Sequence, residues 1–146
     1  MTLSKSLLAG LTFAALAIAP AARAQEALGE LTLTFPALAT KSGAVMIAVY
    51  DSAQGWSAGK AVRVAMASAG DAEPSAKIVA LPPGTYAVRA FQDVDGDGKM
   101  GKNPFGLPTE PYGFSRDAVG DMGPAKFDDA AFEVKAGANA QALHLK

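Results

Sequence analysis

Past residue 24 the chain alternates apolar and polar residues with a period of two, in short runs cut by Gly and Pro. At 30–35, Leu31, Leu33 and Phe35 alternate with Glu30, Thr32 and Thr34, which puts the three apolar side chains on one face of a strand. Residues 44–50 are nearly all apolar and predict a central strand buried on both faces. A third strand around 62–66 turns Val62, Val64 and Met66 one way, toward the core, and Arg63 outward. Residues 76–81 predict a fourth strand, closed by Pro82-Pro83-Gly84, where Pro83 and Gly84 suit the two central positions of a type II turn. Residues 85–92 give the fifth. The sixth and seventh, 131–135 and 140–145, are joined by Gly137-Ala138-Asn139. No segment past residue 24 has the length of an amphipathic helix.

These elements predict an all-β fold: a seven-stranded antiparallel two-sheet sandwich of immunoglobulin-like or transthyretin-like type, with an open barrel as the alternative. The span 93–129 breaks the pattern. It has no strand signal, yet it holds seven of the nine aspartates and the aromatics Phe105, Tyr112, Phe114 and Phe127. Loops of that length are functional or disordered, and the aromatics argue for order. The expectation is one domain at 25–146 with one long ordered loop at 93–129, packed on an end of the sandwich by its own aromatics and pinned at its root by a cation.

The cation is suggested by Asp93-Val94-Asp95-Gly96-Asp97-Gly98-Lys99. An EF-hand-type calcium loop needs carboxylates at positions 1, 3 and 5, glycine at 6 and a backbone carbonyl at 7. Asp93, Asp95, Asp97, Gly98 and Lys99 fill those slots in order, and Met100 supplies the apolar position 8. Position 9 is Gly101 and position 12 is Pro104, so the bidentate Glu is missing. Glu110, Asp117 and Asp121 are the nearest downstream carboxylates that could complete a calcium site. An Asp-Gly repeat also makes a solvated turn without metal.

Composition narrows the setting. Residues 1–24 read as a secretory signal peptide, with Lys5 in a basic start, an apolar stretch at 7–18, Pro20, and Ala22-Arg23-Ala24 as a cleavage site before Gln25. The stretch is too short for a bilayer span, and nothing later is long and apolar enough. The expected mature chain is soluble and exported, to the periplasm or the extracellular space. Residues 25–146 carry 11 basic and 14 acidic residues, a net charge of −3, with no basic stripe. That balance disfavours nucleic acid and anionic membrane surfaces as partners. With no cysteine in the sequence, neither disulfides nor a thiol nucleophile is available, so core packing, bound metal or both must supply stability.

Four segments together carry a family resemblance: Leu81-Pro82-Pro83-Gly84-Thr85-Tyr86-Ala87-Val88, the aspartate loop, Phe105-Gly106-Leu107-Pro108-Thr109-Glu110-Pro111-Tyr112-Gly113-Phe114-Ser115, and Phe127-Asp128-Asp129-Ala130-Ala131-Phe132. The chain resembles domain-of-unknown-function family 2141, a group of exported bacterial proteins, over nearly all of its mature length. The family typically has a His-Asp-x-Asn-x-Asn-Gly-Lys-x-Asp type of loop. Gln92 stands here in place of the His, and Gly101 in place of an Asp that could ligate. The resemblance implies the fold and export and brings no activity with it.

Catalytic machinery is sparse in this sequence. His144, the only histidine, falls in the expected last strand with its ring toward solvent. Ser115 lacks a nucleophile elbow. Asp128-Asp129 suit a turn. Tyr112 and Phe114, alternating about Gly113, suit either an aromatic platform for a sugar or peptide or a small core under the loop. Trp56, the only tryptophan, suits an exposed patch or a lid on the sandwich edge. The preferred reading is a non-enzymatic exported module whose calcium-organised loop, with Asp93, Asp95, Asp97 and Lys99 as ligands, binds an envelope protein or glycan. Glu110, Asp121, Tyr112 and Phe114 are further candidate contacts. The alternatives are a glycan or ester hydrolase using Glu110 and a loop aspartate as acid and base, and a carrier of small apolar ligands like transthyretin-like folds.

Overall fold

The structure is a computed structural model that describes residues 27–146; the expected signal peptide at 1–24 lies outside the described residues. The described residues form an all-β fold in two sheets, with eight strands rather than seven. One sheet has the order β4-β1-β8, formed by β1 (Gly29–Thr34), β4 (Ser75–Leu81) and β8 (Gly137–Ala142). The other has β2 (Ala44–Tyr50), β3 (Arg63–Ser68), β5 (Gly84–Asp93) and β6 (Tyr112–Phe114) in the order β3-β2-β5-β6, with β7 (Phe132–Val134) also on β5. The alternating pattern at 30–35 works as expected: Leu31, Leu33 and Phe35 join Val45, Ile47, Val49 and Val88 in the core, each at most 3% exposed. No helix among the described residues is long and apolar enough to cross a membrane.

Four expectations are corrected. Pairing is antiparallel except between β1 and β8, which run parallel. The cause is that β7 belongs to the opposite sheet, so Lys135-Ala136 carries the chain across the sandwich rather than around a hairpin. Gly137-Ala138-Asn139 is accordingly the first half of β8, whose strand ends at Ala142. In β3, Val64 and Met66 are 77% and 63% exposed, while Ala65 and Ala67 turn inward. Register decides this: Ala65 and Ala67 lie opposite the core residues Ile47 and Val45, and opposed residues share a face. The type II turn fails because Gly84 is not among the positive-φ residues. The left-handed residue is Ala80 instead (φ 57°), inside a bulge where three steps of β4 face two of β1.

One face of the central strand β2 is fully buried; on the other, Ala44, Met46 and Ala48 are half-buried and Tyr50 is buried. That outer face of the second sheet carries a second core of Tyr50, Trp56, Ala87, Phe114, Ala125 and Ala130. Between β2 and β3, the short helix α1 (Ala53–Ala58) delivers Trp56 to it. Ser52 caps its start by accepting the Gly55 N–H at 3.2 Å, and Gly59 ends it in the left-handed conformation. Trp56 is 4% exposed and donates its indole N–H to the Ala125 carbonyl at 2.9 Å, so it is a lid rather than an exposed patch. Phe114 and Phe127 pack on it, the latter from the one-turn helix α2 (Phe127–Ala130). Phe105 does not join them; it is 89% exposed at a tight turn, contrary to the expected packing of all four loop aromatics.

β5 is the longest strand, and one of its edges is shared by two short partners. β7 covers Gly84, Thr85 and Tyr86, and β6 covers Arg89, Ala90 and Phe91. The gap between them is closed by a side chain: buried Ser115 accepts the Val88 N–H at 2.9 Å and donates to the Ala130 carbonyl. Ser115→Ala leaves a buried donor and a buried acceptor unpaired, each worth about 1–3 kcal/mol. Urea denaturation is expected to show a loss of about 2–4 kcal/mol; a loss below about 0.5 kcal/mol, typical of a surface change, would contradict this role for the hydroxyl.

Candidate metal centre

β5 runs directly into the acidic turn, so Asp93 is fixed by the sheet while Asp95 and Asp97 are not. Asp93 is 5% exposed. Its Oδ1 accepts the N–H groups of Gly96 (2.9 Å) and Asp97 (3.1 Å), and its Oδ2 accepts that of Gly98 (2.9 Å). Gly96 and Gly98, at φ 77° and 76°, supply the left-handed conformations that turn these amides inward. Asp95 Oδ1 accepts the Asp97 N–H, and Asp97 Oδ1 accepts the Lys99 N–H. The turn is therefore wound around one buried carboxylate.

Asp93, Asp95 and Asp97 each offer one carboxylate oxygen such that the three lie within 4.8 Å of one another. Two oxygens on the same calcium, each 2.3–2.6 Å from it, stand no more than about 5 Å apart, so the spacing fits. A carboxylate has about four lone-pair positions. Three of those on Asp93 hold amides, which leaves that residue able to ligate through a single position, while Asp95 and Asp97 each keep one oxygen unused by the described residues. Such a set gives three monodentate ligands and needs water to complete a shell. Lys99 is tied to the cluster through its N–H.

Glu110 has a different task from the one its position suggests. Its Oε1 accepts the Val94 N–H at 2.8 Å and its Oε2 the Gly101 N–H at 2.9 Å, closing the base of the acidic turn. This also explains Gly101: a Cβ there would stand 2.6 Å from Thr109 Oγ1 and 3.5 Å from the Glu110 carboxylate. Beyond it, Lys102 bridges Pro108 and Asn103 caps the 103–107 turn. The buried Gln92 donates to the Thr40 and Ser42 carbonyls, both at 2.8 Å, anchoring the preceding connection on the core side.

The family model described as an uncharacterized protein conserved in bacteria (DUF2141) matches residues 34–142. The chain belongs to this family. No curated protein and no solved structure matches it. The DUF2141 segment spans the end of β1 to the end of β8, and so contains the acidic turn, Glu110 and Ser115.

The remaining candidates are dispersed. Asp121 is exposed in the bend at 121–124 and is not part of the three-aspartate group. Tyr112 and Phe114 touch edge-to-face at 5.9 Å, but Phe114 is 7% exposed in the second core and only Tyr112 reaches solvent. His144 lies past the end of β8 and pairs with Asp117, its Nδ1 2.9 Å from Oδ2 and its backbone N–H 3.0 Å from Oδ1. Their separation of 27 positions hid this contact from the sequence. Beside it, Tyr112, Phe114, Val119 and Lys146 line an open groove of about 280 Å³.

The His144 backbone N–H, with smaller help from its ring and against some burial, holds the Asp117 carboxyl below its ordinary value. A carboxyl depressed in the folded state adds stability that is complete above the unfolded value, about pH 4, and is lost as pH falls through the folded one. Asp117→Asn is expected to be less stable than the parent at neutral pH, with the difference shrinking below about pH 4. Denaturant melts across that range check it; a difference that persists unchanged at low pH would contradict the assignment.

Proposed function

We propose that this chain is an exported, non-enzymatic sandwich of immunoglobulin-like or transthyretin-like type whose acidic turn binds calcium. The ordered loop then presents a surface to another envelope component, a protein or a glycan. The observation that carries this reading is the approach of the Asp93, Asp95 and Asp97 oxygens to within 4.8 Å of one another. Three carboxylates at that spacing repel one another, and a divalent ion relieves the repulsion. Asp93 is already oriented by three amides, so binding mainly requires Asp95 and Asp97 to settle.

Monodentate ligation with several waters corresponds to a weak site, with a Kd of roughly 0.1–1 mM, the range of extracellular modules. The hydrolase alternative draws less support, since it asks Glu110 to exchange protons with substrate while both its oxygens accept backbone amides. The carrier alternative asks for a cavity between sheets, whereas the two grooves described lie on the outer side of the second sheet.

At a free calcium concentration ten times Kd, mass action adds about 1.4 kcal/mol. For a domain of this size that is a rise in Tm of roughly 5 °C over a chelator-treated sample. Asp95→Ala, exposed and outside the core, is expected to abolish the rise while leaving the chelator Tm within about 2 °C. Equal melting with calcium and with chelator would remove the metal from the account.

A further inference from the structure

Four residues upstream of Asp93, on the same outer face of β5, Arg89 lies across the second core. Its guanidinium carbon sits 3.9 Å from the centroid of the Trp56 ring and 5.1 Å from that of Tyr50. Among the described residues one donor is used, Nη2 to the Trp56 carbonyl at 2.8 Å, and the buried Nε has no partner. No carboxylate forms an ion pair with Arg89 among the described residues. A cation withdrawn from water without a counter-ion is costly, and cation–π contact offsets only part of that cost. Burial accordingly pulls Arg89 below its ordinary pKa, though a guanidinium stays charged.

Arg89 lines an open groove of about 440 Å³ with Trp56, Phe127, Pro124, Lys126 and Asp128. This volume lies in the range of small-ligand sites. Its side chains include two cations and one carboxylate, hence a net charge of +1. With Nε buried, the Nη1/Nη2 end of the guanidinium is the part a ligand can meet; its parallel N–H groups match a carboxylate, and the aromatic and proline walls suit an apolar body. We propose that this groove binds a small monoanionic carboxylate with an apolar or aromatic body, held by Arg89 and steered by Lys126. Inorganic phosphate has no apolar body to place against those walls and is disfavoured by comparison. The site uses none of the aspartates of the acidic turn and stands independently of calcium.

Trp56 is the only tryptophan, so intrinsic fluorescence reports on this groove. The protein is titrated in chelator and low salt with benzoate, with its neutral isostere benzamide, and with inorganic phosphate. Benzoate is expected to give a saturable change with a midpoint of about 1–10 mM, as its few atoms allow. Benzamide and phosphate are expected to bind at least roughly tenfold more weakly, and Arg89→Lys, which keeps the charge but loses the fork, to weaken benzoate about tenfold. Because Arg89→Met could disturb the second core, the Arg89 Nε–H resonance of the parent protein is followed as well, and is expected to shift along the same isotherm. The proposal is overturned by an absent or linear benzoate response, by benzamide or phosphate binding as tightly, by Arg89→Lys binding like the parent, or by an unmoved Nε–H resonance.

Discussion

Every backbone group along β5 has to find a partner, and no single strand supplies them. One edge is covered by β2 from Ala87 to Asp93. On the other, β7, the Ser115 hydroxyl and β6 succeed one another, and Pro111, just before β6 begins, accepts the Gln92 N–H. Buried backbone groups that lack partners are expensive, so this sequence of partners fixes where the strand stops and where its last residue points. That residue is Asp93. The position of the acidic turn is thus a consequence of sheet closure.

From that fixed point the turn is organised by charge and hydrogen bonding rather than by apolar burial. Asp93 gathers three amides, and Glu110 staples the two ends of the turn through Val94 and Gly101. Hydrogen bonds to a carboxylate are stronger than neutral ones, which lets a segment with almost no core hold a defined shape. Asp95 and Asp97 remain exposed beside this frame, each with a carboxylate oxygen within 4.8 Å of one on Asp93. The same strand presents Arg89 to the groove beside Trp56, so β5 carries a cation four residues before the acidic turn it leads into.

The strands whose alternation reports burial were legible. Leu31, Leu33 and Phe35 read correctly because their sheet buries one face, and the apolar run at 44–50 marked the strand between β3 and β5. β3 misled because Val64 and Met66 are more hydrophobic than the alanines beside them, yet register with β2 selects Ala65 and Ala67. β6 is three residues long and owes its existence to β5, which no local pattern reveals. α1 carried a signal in Ser52 and Gly59, but six residues are too few to display a helical period. The aspartate cluster was legible because its three carboxylates stand at alternate positions of one short segment; the roles of Glu110, Ser115 and the Asp117–His144 pair were not, being set by tertiary contacts.

The central claim is that three aspartates on a turn rooted in β5 share one calcium ion. A crystal structure determined from crystals grown with calcium tests it most directly. The account predicts one anomalous peak per chain, 2.3–2.6 Å from an oxygen of each of Asp93, Asp95 and Asp97, with waters filling the remaining positions. Density showing the same turn with only water among the three carboxylates, at calcium well above the millimolar range, would contradict it.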